Sequence, residues 1–253
     1  MKLLPAMPST RTMLRAVAAT LAASVAGVVL GGALTVRPDH MLVEHVRFEG
    51  HDEAGAAELR HLLDLRNGTR VWEVDAEALA ARAASHPWVA HADVRVEWPD
   101  TVVVEVVERQ AVAVLLADRA LYLDADGEPF LGARAGDVDL PHLTGIDSRL
   151  AALHPDLPGM AVHDALWLLD QLERRGLGDR ADVSEIHFSE VRGFTVHLGN
   201  TRLVFGHGDT PRQLDRLERL VRDQGVRLDE PTYVDLAPPT VAIVRPLAPA
   251  HGG

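Results

Sequence analysis

The sequence predicts an α+β protein carried on an N-terminal transmembrane helix, and three observations predict it. Ala16 to Val36 is a run of 21 residues without a charge. Residues 41–109 read as strand, helix, helix, strand, strand. Residues 110–246 hold short strand-like runs flanked by two apolar helical stripes.

The uncharged run comes first. As a helix rising 1.5 Å per residue it would reach roughly 31 Å, about the thickness of a bilayer core. Lys2, Arg11 and Arg15 precede it, and Arg37 and Asp39 follow. The positive-inside rule then puts the tail, residues 1–15, in the cytoplasm and everything after the membrane helix, residues 16–36, outside. The expected place is therefore the cytoplasmic (inner) membrane, as a single-pass protein. A cleaved signal peptide is the alternative. The run is longer than an ordinary signal core, and no clean small-x-small site precedes Arg37. Gly27 and Gly31 form a GxxxG pattern through which two such helices can approach closely.

Charge and cysteine usage exclude several function classes. The first 36 residues hold three basic residues and no acid, so the rest carries 22 basic against 37 acidic residues. A part that acidic is repelled by nucleic acid phosphates and gains nothing from an anionic lipid surface. The chain has no cysteine, which removes disulfides, thiolate zinc sites and cysteine nucleophiles.

In residues 41–109, Val46 and Phe48 alternate with Arg47, and Gly50 ends the run, so a short half-buried strand is expected. Asp52 is the expected cap of a helix bearing Leu59, Leu62 and Leu63. Asn67-Gly68 supplies a turn. Asp75 is the expected cap of a second helix with Leu79 and Ala83 inward, and Pro87 follows its end. Val94, Val96 and Trp98 then share one parity, which places Trp98 on the packed face. Pro99-Asp100 turns the chain into a return strand led by Val102, Val104 and Val106.

Beyond Arg109, Leu121–Asp124 and Phe130 bracket Asp126-Gly127, the signature of a hairpin. A helix carries Val162, Leu166, Leu169 and Leu172. Strands are expected at Ile186–Phe188, Phe194–Leu198 and Leu203–Phe205, with Gly193 and Gly199-Asn200 at the turns. Thr210 caps a further helix in this reading, with Pro211 at its first position, Gln213 bonding back to the cap, and Leu214, Leu217, Leu220 and Val221 as its stripe. Gly225 suits its end. Tyr233–Leu236 opens the last strand region, and residues 247–253 read as a flexible tail.

These residues resemble a known family. Val46-Arg47-Phe48-Glu49-Gly50, Val71-Trp72-Glu73-Val74-Asp75, His86-Pro87-Trp88-Val89, Val94-Arg95-Val96-Glu97-Trp98-Pro99 and Val104-Glu105-Val106-Val107-Glu108-Arg109 occur in the order and spacing of the POTRA domain of the bacterial cell-division family FtsQ/DivIB. Leu121–Phe130, Leu140–Gly145 and Tyr233-Val234-Asp235-Leu236 are similar to that family's β-domain, so the resemblance runs from the anchor to about Pro246. Two departures stand out. Gln110-Ala111-Val112-Ala113 lacks the proline of the Pro-Val-Ala that usually follows Glu-Arg, and Ala237-Pro238 stands where an Arg-Tyr pair commonly follows Val-Asp-Leu.

The resemblance implies a non-enzymatic scaffold at the division septum. Such proteins bind FtsB-like and FtsL-like partners and help control septal peptidoglycan synthesis; their POTRA domain serves localisation. It also implies that the last strand binds an FtsB-like partner. Here that segment is Thr240, Val241, Ala242, Ile243, Val244 and Arg245. Its β-branched residues suit a strand, and Pro238, Pro239 and Pro246 bound it. Two other classes remain: a POTRA-containing module for protein assembly or translocation, and a metal-dependent extracytoplasmic hydrolase.

A search for chemistry gives little. No cofactor, small-molecule substrate or metal is expected. None of the thirteen histidines sits in an HExxH pattern. His187 and His197 fall on neighbouring strands without a third ligand. Asp124-Ala125-Asp126-Gly127 lacks the further positions of a calcium loop. Gly206-His207-Gly208 lies between strand and helix, as phosphate sites do, but lacks a third glycine, and Pro211 removes a donor.

Overall fold

The computed structural model describes residues 41–66, 68–134 and 139–247. The expected membrane run and the end of the tail lie outside them. Among the described residues no helix is long and apolar enough to cross a membrane. The chain divides into two compact units. The described residues of the first fall within 41–86 and 91–107, and those of the second within 87–90 and 108–247. The architecture is α+β, as expected.

The first unit has the order β1 (His45–Glu49), α1 (Ala56–Leu63), α2 (Ala76–Ala83), β2 (Val89–Glu97), β3 (Thr101–Glu108). The last strand is central: β1 pairs parallel with β3, and β2 takes the other side. Central placement explains why Val102, Val103, Val104 and Val106 are all buried. Leu59 and Leu63 of α1 and Leu79 and Ala83 of α2 complete this core. Arg82 locks the helices by donating to the Leu63 carbonyl at 2.7 Å. Gly50 ends β1 with φ +78°, and a Cβ there would meet the Val106 carbonyl oxygen at 2.3 Å, so glycine is required. Glu49 and Glu105 face each other directly across β1 and β3, an arrangement that repels. Arg95 of β2 resolves it with bonds to Glu105 (2.6 Å) and Glu49 (3.1 Å).

Three expectations need correction. Asp52 does not cap α1; Gly55 stands at that position without a side-chain bond. Leu62 is only half-buried, while Leu59 and Leu63 carry the packing. Trp98 is not on the packed face. Strand β2 ends at Glu97, Trp98 opens the turn, and its side chain is 60% exposed. The alternation that reaches Val96 stops once the chain leaves the strand. Asp75, by contrast, caps α2, accepting from the Ala78 N–H at 3.0 Å.

The second unit is built on a nine-stranded sheet. Its strands are β4 (Ala113–Leu116), β5 (Ala120–Leu123), β6 (Pro129–Gly132), β7 (His142–Thr144), β8 (Val183–Ser189), β9 (Gly193–Leu198), β10 (Thr201–Phe205), β11 (Thr232–Asp235) and β12 (Ile243–Pro246). Their spatial order is β12-β11-β10-β9-β8-β7-β4-β5-β6. The helices are α3 (Ser148–Leu153), α4 (Leu157–Arg174) and α5 (Thr210–Gln224). One apolar row crosses seven strands in register: Leu115, Leu143, Ile186, Val196, Leu203, Val234, Val244. All but Val244 join one core with Val162, Leu168, Leu169 and Leu172 of α4 and Leu214, Leu217 and Leu220 of α5. Leu166 is half-buried against it.

The Asp-Gly hairpin forms as expected. The Asp124 carboxylate accepts from the N–H groups of Asp126 and Glu128 and pairs with Arg109 at 2.8 Å. That use of the carboxylate makes the segment a turn. The start of α5 lies one residue earlier than expected. Asp209, not Thr210, is the cap and accepts from the Arg212 N–H at 3.1 Å. Gln213 turns into the core and donates to the Gly206 carbonyl rather than to the cap. Gly225 closes the helix in the left-handed conformation.

Trp88 is buried and stacks against Tyr122 and Phe130 at centroid distances of 5.4 and 5.1 Å. Trp88→Ala should therefore cost about 3–5 kcal/mol and lower the melting temperature. Trp98→Ala should stay within roughly 0.5 kcal/mol of the wild type. Equal shifts for the two variants in calorimetry would contradict this packing.

Candidate functional site

Strand β12 is an edge, and all four of its residues are exposed. Among the described strands it pairs antiparallel with β11 alone: Tyr233 opposite Arg245, Val234 opposite Val244, Asp235 opposite Ile243. The Leu247 N–H donates to the Pro231 carbonyl at 2.8 Å, so that register position is a hydrogen-bonded pair. In an antiparallel ladder such pairs alternate. Arg245/Tyr233 and Ile243/Asp235 therefore bond to each other, and the Val244 N–H and C=O point away from the sheet. Pro246 has no N–H to offer. The outer edge thus presents one amide donor with carbonyl acceptors beside it.

The structure moves the expected segment. Thr240 lies in a bend, Val241 and Ala242 are irregular, and the strand runs Ile243–Pro246. The cause is Arg216 on α5. Its guanidinium donates to the carbonyls of Pro238 (2.5 Å), Val241 (2.7 Å) and Leu236 (3.2 Å). Carbonyls held by a side chain leave the ladder, so pairing begins two residues after Val241. Sequence reasoning missed Arg216 because it stands among Arg212, Arg219 and Arg222 with nothing to separate it. A stretch of carbonyls from Leu236 to Val241 that needs donors was the one available signal.

The face of the sheet opposite the core is polar and continuous with this edge. His142, Glu185, His197, Arg202, Tyr233 and Arg245 face each other in one register row from β7 to β12. The Arg245 guanidinium lies 4.3 Å from the Tyr233 ring centroid, a cation–π contact at the strand edge. Thr144 donates to Glu185 at 2.5 Å and contacts His187 Nδ1 at 2.7 Å. Burial, and next the charge of Arg202, hold the His197 imidazole below its ordinary value of 6.5.

For metals, only Glu44, His45 and Asp100 bring three ligand atoms together among the described residues, all within 4.8 Å, and Glu44 and His45 are exposed. They lie in the first unit, far in sequence from His187 and His197, whose neighbourhood supplies Glu185 but no such trio. The turn Gly206-His207-Gly208 lines a cavity of about 500 Å³ shared with His154, Asp164, Glu190, Phe188 and Phe194. Glu190 pairs with His154 at 3.2 Å, and its carbonyl contacts His207 Nε2. Two carboxylates in that wall oppose an anion, so it is unsuited to phosphate.

The chain matches the model of the POTRA domain, FtsQ-type, over residues 41–109, and that of the cell division protein FtsQ/DivIB C-terminal region over residues 113–237. It is similar to curated proteins named cell division protein FtsQ. That of Syntrophotalea carbinolica is 31% identical over 236 residues, 90% of this chain and 84% of that protein. That of Anaeromyxobacter sp. is 35% identical over 219 residues, 83% and 74% of the two chains. That of Myxococcus fulvus is 30% identical over 204 residues, 79% and 72%. Strand β12 lies beyond residue 237, where the second domain match ends.

Two measurements test this geometry. Arg216→Met should raise hydrogen exchange at the Ile243 and Arg245 amides about tenfold, the equivalent of ~1.4 kcal/mol for lost charged hydrogen bonds. Unchanged exchange would show that the clamp does not hold β12. His197, with its folded value depressed, takes up its proton more readily when unfolded. The stability tied to this group is complete above about pH 6.5 and is lost as pH falls through the folded value. Its NMR titration midpoint should lie below 6.5, and His197→Gln should remove this part of the acid sensitivity.

Proposed function

The chain belongs to the FtsQ/DivIB family of cell-division proteins, and from that premise we propose that it is a non-enzymatic scaffold of the division septum which receives a strand of an FtsB-like partner along β12. In this reading the uncharged run 16–36 anchors it as a single-pass protein of the cytoplasmic membrane, with residues 1–15 inside and the two units outside. Residues 41–109 serve localisation, residues 110–246 bind the FtsB-like protein and, with it, an FtsL-like one, and the assembly helps control septal peptidoglycan synthesis.

The observation that carries the reading is the edge itself. An exposed strand with an outward amide and carbonyls offers main-chain bonds to an incoming strand. Ile243 and Arg245 share one face, and Val244 stands on the other, so an added strand reads different side chains on its two sides. The loss of the family's Arg-Tyr pair at Ala237-Pro238 is offset in this chain by Arg216, which fixes the same connection through backbone carbonyls, and by Tyr233 with Arg245 on β11 and β12. Partners anchored in one membrane meet at high effective concentration, so a short interface is enough.

Proline scanning separates the two sides of the strand. The Val244 N–H points outward, so Val244→Pro should leave the circular dichroism and melting temperature of the protein close to wild type. Its binding to the extracytoplasmic segment of an FtsB-like protein should fall about tenfold or more, for the lost bond and the obstructing ring. Ile243→Pro removes a bond to β11 and should loosen β12 even without a partner. Undiminished binding by folded Val244→Pro would place the partner site elsewhere.

A further inference from the structure

The chain has four tryptophans, and the two with exposed side chains are both in the first unit: Trp72, 46% exposed, and Trp98, 60% exposed. Each stands on a short turn, and both turns hold the same segment. From one side, the Val71 N–H donates to the Met41 carbonyl at 3.0 Å and the Val43 N–H to the Thr69 carbonyl at 2.9 Å. From the other, the N–H groups of Glu44 and His45 donate to the Asp100 carbonyl at 2.9 and 3.2 Å. Since β1 runs parallel to β3 with His45 opposite Thr101, β1 starts at the end of the sheet where the Trp98 turn lies. The two turns therefore flank residues 41–45, which follow the uncharged run 16–36 after only four residues, 37–40. From Val36 to Met41 is five Cα steps, a reach of at most ~18 Å.

Two large apolar side chains left in water at one end of a small domain call for a cover. Indole, with an apolar ring and one N–H, is the side chain most at home between acyl chains and water. We propose that the Trp72 and Trp98 turns rest in the interfacial layer of the bilayer that anchors the chain, so that this end of the first unit sits on the lipid. The inference rests on the reading of residues 16–36 as a membrane anchor. The contact is aromatic rather than electrostatic: Arg70 lies over the Trp72 ring but is paired with Glu73, and Glu44 and Asp100 flank the same segment. Among these described residues the acids outnumber the one arginine, so nothing in them draws anionic headgroups.

The test uses the full chain reconstituted in phosphatidylcholine vesicles, with or without bromine on the upper acyl chain, and reads tryptophan emission. The anchor run contains no tryptophan, so it adds no signal. Wild-type emission should be lower in the brominated vesicles and equally so at high salt. Trp72→Phe and Trp98→Phe should each reduce the loss, and the double variant should remove it. Equal wild-type emission in the two vesicles, or a loss that persists in the double variant or vanishes in salt, would overturn the proposal. Flotation after an alkaline carbonate wash separates the two readings. A protein that floats without quenching retains the anchor and refutes the lipid contact, whereas one that no longer floats refutes the anchor and this inference with it.

Discussion

A strand can keep only one parity, and in the second unit that parity is shared by seven strands. The row from Leu115 to Val244 fixes which side of every strand meets α4 and α5. A slip of one residue at any pair would turn all later strands over and expose the core. Gly145 guards the register at one place, since a Cβ there would lie 2.0 Å from the Phe188 carbonyl oxygen of β8. The row also explains the edge. It ends at Val244, because no further strand of the described chain lies beyond β12, and Val244 is exposed.

Much of this was legible from sequence, and the reasons are local. Where a run is rich in β-branched residues, as at Val102–Val106, or alternates, as at Phe194–Leu198, the element was plain. The helical spacing of the α4 stripe and the Asp126-Gly127 turn made those two elements equally plain. Strands β4 and β7 were not read. Ala113–Leu116 is buried over its first three residues and shows no alternation, and His142–Thr144 is three residues long. Both lie inside the sheet, where neighbours on each side, not an intrinsic pattern, make the strand. Trp98 failed because parity was carried one residue past the end of β2.

The edge strand was found with its start misplaced. Composition from Thr240 to Arg245 suits a strand throughout, but composition does not say which carbonyls are already taken. Arg216 reaches from a helix 20 or more residues earlier in the chain to Leu236, Pro238 and Val241. A long-range side-chain contact of that kind decides where a ladder begins and leaves no periodic trace. The same clamp keeps the residues between β11 and β12 from wandering, so the edge is presented in one geometry, at little entropic cost to whatever pairs with it.

The order of strands along the sheet has a consequence for biosynthesis. Strand β12 leaves the ribosome after every other described strand, yet it lies at one end of the sheet, next to β11 only. The core it borders is complete without it, since Val234 and Leu236 are already buried in that core. A nascent chain can therefore fold the rest of its sheet before β12 exists, and β12 is added last. A prematurely ended product would be a folded protein with β11 bare, carrying Tyr233 and Asp235 where Arg245 and Ile243 should face them. The outermost strand thus forms only after every other described strand has been made.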